Sequence, residues 1–215
     1  DYVVSYRDGA GTAYTRRFNA AHKPTGVRLE RIANTTTLLD QNQLTVAATP
    51  EGGRAMLAWT SFVAGLDGQE IRARVVDHNG KPLTGEIGLN KTTVDNQSSP
   101  AVAAGIARFV AVWNSYGQDG SQDGIVGRVF DSDGQALTAE ISVNEGTNGT
   151  QNAPAVAMLG NGHWMAAWQF PNPPVPTLRG RIFDKAGKAM SSTDITILNQ
   201  AGGALTNRKM ILWVT

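Results

Sequence analysis

The chain has 215 residues, enough to bury a substantial core and within the range of one all-β domain. Its formal charge is +1 and no run of Lys or Arg stands out, which excludes the electrostatic footprint of a nucleic-acid binder or of a membrane-surface patch. It has no cysteine, so disulfides and thiolate metal sites are out, and no apolar run reaches the roughly 18 residues of a membrane-crossing helix.

Abundant glycine and few charges suit many short strands joined by tight turns. The chain opens at Asp1 without Met and without a signal peptide, as expected of a mature form or an excised portion. The search for internal repeats comes first, because a fixed period decides the architecture. At the start, Asp1-Tyr-Val-Val-Ser-Tyr6 resembles a strand that later carries Trp, followed by Arg16, Asn19 and Asn34. That later strand recurs around Trp59, Trp113 and Trp168, at spacings of 54 and 55. After each Trp comes Arg-x-x-Asp, as Arg74 with Asp77, Arg128 with Asp131, and Arg181 with Asp184. A turn to Gly80, Gly134 or Gly187 follows, and then a short run ending at Asn90, Asn144 or Asn199. Gln41, Gln97 and Gln151 open the next unit. In the third unit the four strands A to D are expected near residues 101–104, 109–114, 125–130 and 137–143.

The runs are rich in Val, Ile and Ala and bounded by Gly, Asp, Asn and Ser, so strands are expected throughout. Several are apolar at consecutive positions, which fits sheets covered on both faces. A four-stranded unit of this period predicts an all-β, β-propeller fold of four-stranded antiparallel blades. We expect one domain over residues 1–215, with units at 1–40, 41–95, 96–149 and 150–205 and a closing strand at 206–215. The first unit lacks strand A, and Ile211 falls where a strand A belongs. Closure of a four-bladed ring by the C-terminal strand is therefore expected. Aligning Trp213 with the strand B tryptophans instead would make the chain a cut from a longer array.

The phrases Gln97-x-x-Pro-Ala-Val-Ala, Phe109-Val-Ala-Val-Trp-Asn-Ser, Gln118-Asp-Gly-Ser, Gly127-Arg-Val-Phe-Asp-x-Asp-Gly and Glu140-Ile-x-Val-Asn resemble repeats of about 50 residues in large secreted and surface proteins of bacteria. The resemblance covers nearly the whole chain, best at 97–170. It implies an extracellular β-propeller beside adhesion or calcium-binding modules, and it brings no shared catalytic residue. The first unit departs most, with Tyr6 for Trp and His22 for the turn glycine.

Arg16, Arg74, Arg128 and Arg181 could gather an anion in a central channel, or each could pair with a turn carboxylate or cap carbonyls between blades. The Asp-x-x-Gly segments fit turns between strands C and D. Only the third unit adds Asp119, Asp123 and Asp133 as calcium ligands, and a hard cation needs six or more converging oxygens. Trp59, Trp113 and Trp168 suit core packing, whereas Phe62, Tyr116 and Phe170 follow strand B and suit ligand contact. His22, His78 and His163 scatter among turns, and no nucleophile, phosphate-loop or His-x-x-x-His motif occurs.

The sequence therefore predicts a non-catalytic adhesion module at the bacterial cell surface, not an enzyme. It would recognise a glycan or a protein through rim loops, with no cofactor, calcium being only a weak option, and with no nucleic acid and no membrane insertion. Two rivals stand beside it. One is self-association through the terminal strands into an extracellular fibre, and the other is an enzyme with an arginine-lined channel.

Overall fold

The computed structural model describes residues 2–9, 12–25, 31–32, 41–62, 68–171 and 176–199, which form strands and turns without a helix. The strands assemble into four antiparallel sheets, here called blades. Blade 1 holds β1 (Tyr2–Arg7), β2 (Ala13–Phe18) and β3 (Arg31–Ile32). Blade 2 holds β4 (Gln41–Ala48), β5 (Arg54–Phe62), β6 (Gln69–Asp77) and β7 (Ile87–Gly88). Blade 3 holds β8 (Gln97–Gly105), β9 (Arg108–Tyr116), β10 (Asp123–Asp131) and β11 (Ile141–Ser142). Blade 4 holds β12 (Asn152–Met158), β13 (Trp164–Phe170), β14 (Thr177–Phe183) and β15 (Ile195–Asn199).

Each blade is a meander in chain order. The first strands of successive four-stranded blades lie side by side, β4 against β8 and β8 against β12. The sheets therefore fan out from a shared inner edge in a propeller-like arrangement. Blade 1 has three strands and no strand A among the described residues, as its sequence predicts. The expected closing strand at 206–215 and the expected Asn34 lie outside the described residues.

Two element lengths differ from the sequence reading. Strand A is longer, because the register of β4, β8 and β12 against the next strand slips at Gln43, Ser99 and Ala153. These three residues take φ values of 53°, 54° and 50°. The slip is a bulge, and it explains the proline of Gln-x-x-Pro: Pro100 and Pro154 sit where the ladder asks for no N–H. Strand D is shorter, because a threonine hydroxyl stands in for the ladder at its start. Val75 N–H donates to Thr84 Oγ1 and Val129 N–H to Thr138 Oγ1, each at 3.1 Å.

The core lies between the sheets. Alternate residues of β9 face opposite blades, as a two-residue period requires. Phe109, Ala111 and Trp113 pack with Met56 and Ala58 of blade 2, while Val110 and Val112 pack with Trp164, Ala166 and Trp168 of blade 4. Trp59, Trp113 and Trp168 are all buried, in keeping with core packing.

The C–D turns repeat one hydrogen-bond pattern. Oδ1 of Asp77, Asp131 and Asp184 accepts from the N–H groups two and four residues on, and Asn19 does the same in blade 1. The turn ends at a residue with positive φ, 81° at Gly134 and 82° at Gly187. Space as well as φ selects glycine here. A Cβ on Gly134 would lie 2.5 Å from Ile87 Cδ1 of the preceding blade, and one on Gly187 would collide with Ile141 Cδ1. Gly134→Ala should therefore cost about 1–3 kcal/mol through both backbone strain and overlap at the blade seam. A thermal melt should show the loss, whereas Gly160→Ala, with nothing near its Cβ position, should leave the melting temperature nearly unchanged.

Candidate functional site

One end of the fan collects the starts of strands A and C, the ends of strands B and D, and the loops between them. Polar side chains concentrate there for a structural reason. In blades 2 and 3 strand D is followed two residues on by an asparagine whose amide is held from both sides. Asn90 Oδ1 accepts from Ile71 N–H at 2.8 Å and Asn144 Oδ1 from Ile125 N–H at 2.7 Å. Each Nδ2 then donates to a carboxylate, and the two blades recruit it from different places. In blade 2 it is Glu70 of strand C. In blade 3 the equivalent position is Gly124, and Asp119 Oδ2 reaches into the space its missing side chain leaves, 2.6 Å from the Cβ position and 3.1 Å from Asn144 Nδ2.

A second carboxylate ties neighbouring blades together. Glu140 of blade 3 accepts from Lys91 N–H at 2.5 Å, Thr92 N–H at 3.2 Å and Thr92 Oγ1 at 2.9 Å, all from the loop leaving blade 2. Gln118 Nε2 adds a fourth hydrogen bond at 2.9 Å. Asp194 of blade 4 repeats the arrangement on Glu145 and Gly146 of blade 3. Burial resists ionisation of Glu140, but these hydrogen bonds outweigh it and hold the carboxyl below the ordinary glutamate range.

Two carboxyls are pushed the other way. Burial raises Glu70, against the opposing pull of Asn90 and Arg72, and the Glu140 charge raises it further. Glu70 is buried, and its Oε1 has no hydrogen-bond partner among the described residues. Burial also raises Asp123, and the neighbouring Asp119 charge adds to the shift. Among the described residues, no hydrogen bond or ion pair reaches the half-buried Asp123 carboxyl. Asp119 beside it accepts from Ser121 N–H and Asn144 Nδ2. The rim thus carries a carboxyl biased toward its protonated form beside a carboxylate engaged as an acceptor. A carboxyl raised by burial beside a second acid can serve as a proton donor with a neighbouring counter-charge.

The sequence-predicted residues divide sharply. Phe62 and Tyr116 are exposed at this rim, Tyr116 by 48%, while Phe170 is covered by the Arg179 guanidinium, 3.8 Å from its ring centre. The arginines do not converge on a channel, because strand C is the third strand out from the inner edge. Arg128 donates to Thr138 C=O in its own blade and to Leu89 C=O in the preceding one, and Arg181 does the same with Ser191 and Val143. Arg74 is buried, and Arg16 lies over the Phe18 ring. The three weak calcium candidates are not brought together. Asp133 lies beyond the far end of β10 from Asp123, bonded to Arg54, and among the described residues no three His, Cys, Asp or Glu side chains could hold a metal together. The histidines belong to the opposite end, in or beside the C–D and A–B turns. Sequence reading passed over Glu70 and Glu140; the legible signal was an acidic residue at each strand D entrance, Glu86, Glu140 and Asp194.

Among the described residues, a groove of about 290 Å³ lies at the other end of the fan between blades 1 and 2, and one of about 330 Å³ runs along the outer edge between blades 2 and 3, from Gly134 to Lys91. Neither includes the raised carboxyls. The first gathers Arg17 and Arg54, which are already bonded to Asn79 and Asp133, so the chemistry favours the carboxyl rim.

No protein-family model and no characterised sequence matches the chain. Solved structures do. An endo-arabinase from Bacteroides thetaiotaomicron is 10% identical, with 92% of this chain aligned to 76% of that one at a TM-score of 0.52. A Hadza microbial sialidase is 11% identical, with 90% of this chain aligned to 46% of that one at a TM-score of 0.51. These likenesses establish the fold. They also correct two expectations, that of a non-catalytic binding module and that of a chain that is not an enzyme. Both rested on the lack of a linear catalytic motif, and an endo-arabinase and a sialidase share this architecture.

The carboxyl shifts have opposite consequences for stability. Glu140 is lowered, so the stability it contributes is complete above the ordinary glutamate pKa and is lost as pH falls through its folded value. Glu70 is raised, so its charge penalises the fold above its folded pKa, and the penalty disappears below the ordinary value. Glu70→Gln keeps the acceptor for Asn90 and removes the charge. It should raise the melting temperature at pH 7 by about 2 °C or more and have no effect below pH ~4. Glu140→Gln should lower the melting temperature at pH 7, and calorimetry across this pH range reads both.

Proposed function

We propose that this chain is a carbohydrate-active enzyme that hydrolyses glycosidic bonds at the rim holding Asp123, Asp119 and Tyr116. The observation that carries the reading is the Asp123 carboxyl, half-buried, unbonded among the described residues and raised by burial and by Asp119. Glycoside hydrolysis needs a carboxylic acid that can protonate the leaving oxygen and a second carboxylate near the sugar. Asp123 takes the first role. Asp119, steadied by Ser121 and Asn144, takes the second. The exposed Tyr116 ring, which ends the strand paired with β10 at Asp123, offers an apolar face on which a sugar ring stacks. Fold supports the reading by analogy, since the endo-arabinase and the sialidase share it. The repeat phrases favour a single extracellular domain of a bacterial protein, where polymeric glycans are met.

The test is release of reducing ends or free sugar from a panel led by arabinan and sialosides. Asp123→Asn should lower kcat/KM by about 10²-fold or more, the contribution of a positioned general acid. Tyr116→Ala should act mainly on KM. The wild-type rate should fall as pH rises through the Asp123 pKa, because the donor must be protonated. Wild-type hydrolysis that Asp123→Asn leaves unchanged would remove Asp123 from the reaction, and a wild type inert across the panel would sink the reading.

A further inference from the structure

Blades 2 and 3 show what a trailing blade face requires. Their strand D isoleucines, Ile87 and Ile141, lie over the C–D turn glycines of the following blades, Gly134 and Gly187. Their next apolar residues, Leu89 and Val143, are fully buried in the seam. The backbone carbonyls of Leu89 and Val143 accept from Arg128 and Arg181 of the following blade. A following blade is thus recognised by three features: an apolar strand B, a strand C arginine and a turn glycine.

Blade 4 presents a related half-interface, with one difference: its strand D shifts register between the partners of Leu178 and Arg179, where residue 197 is the extra one. Ile195 pairs with Gly180 as Ile141 pairs with Gly127. Ile197 Cδ1 lies 2.9 Å from the Cβ position of Gly180, the place Val143 Cγ2 takes over Gly127 at 3.2 Å. Yet Ile197 is 44% exposed, against 0% for Leu89 and Val143, and Ile195 is exposed where Ile87 and Ile141 are partly buried. The opposite face of the fan is open as well. Tyr2 and Val4 of blade 1 are 41% and 40% exposed, whereas Phe109 and Ala111, at the same register in blade 3, are fully buried.

Blade 1 does not complement blade 4 in the way the internal seams do. Its turn carries His22 at φ 58° where the others carry glycine, and at Gly134 and Gly187 even a Cβ would strike the isoleucine above. We propose that the trailing face of blade 4 is a docking surface for a further blade of the same repeat, one that brings a turn glycine under Ile195 and a strand C arginine to the carbonyl at Ile197. Charge and shape both follow from the two internal seams, so the occupant is defined by chemistry already present twice in this chain. This inference rests on the seams alone and is independent of the proposed activity.

The test compares equivalent positions in the 215-residue protein. Val143→Ala should lower the melting temperature by about 5 °C or more, given burial in an internal seam, while Ile197→Ala and Ile197→Asp should leave it unchanged. A version extended after Thr215 by a second copy of residues 145–199 should melt higher than the original, and within it Ile197→Asp should cancel the gain. Two results would overturn the proposal. One is Ile197→Asp destabilising the unextended chain as Val143→Ala does, because the face would then already be covered within it. The other is an extension that adds no stability.

Discussion

The structure depends on burial between blades. Each sheet has apolar residues on both faces, and a sheet of that kind is stable only when another lies on each side. The contact is made by alternation along strand B, where Phe109, Ala111 and Trp113 serve one neighbour and Val110 and Val112 the other. It is completed at the outer edge by isoleucine over glycine, as Ile87 lies over Gly134 and Ile141 over Gly187. Removing one seam exposes two faces at once, which is why the open faces at Tyr2 and Ile197 stand out against an otherwise closed core.

Polar groups follow from that packing. Stacking sheets closely leaves the carbonyls and N–H groups at the strand ends without strand partners, and each must find one. Arginines of strand C satisfy carbonyls of the preceding blade, Glu140 and Asp194 satisfy N–H groups of the loop leaving it, and asparagines two residues past strand D bridge backbone to carboxylate. Most of the conspicuous charge at the rim is therefore consumed by architecture. The Asp123 carboxyl differs because nothing in the frame uses it: it is held half-buried beside Asp119, with no hydrogen bond or ion pair among the described residues, and a carboxyl in that position is available for chemistry.

Much of the fold was legible in residue order. The recurrence of Trp59, Trp113 and Trp168 marked strand B, the aspartate turns marked the C–D connection, and the missing strand A of blade 1 was read from a count. The site was less legible. Glu70 and Asp119 do the same work from different positions in their repeats, so no alignment of units pairs them. Asp123 was visible only as one of several acids in a polar stretch, and its grouping with Asp133 as a calcium set placed residues from opposite ends of a strand together. The four arginines were legible as a repeat, and their role as carbonyl caps became clear only from which blade each reaches.

Period and alternation by themselves determined that this chain forms stacked four-stranded sheets with buried tryptophans, because a two-residue period and a fixed turn chemistry act within a few residues of each other. Tertiary structure decided which charges are spent and which are left. Burial, hydrogen-bond supply and the proximity of a second charge set the state of Glu70, Asp123 and Glu140, and all three depend on groups brought in from other strands or a neighbouring blade. The same distinction holds at the seams, where His22 and Gly134 occupy one place in the repeat and only the isoleucine of an adjacent blade makes the difference between them matter.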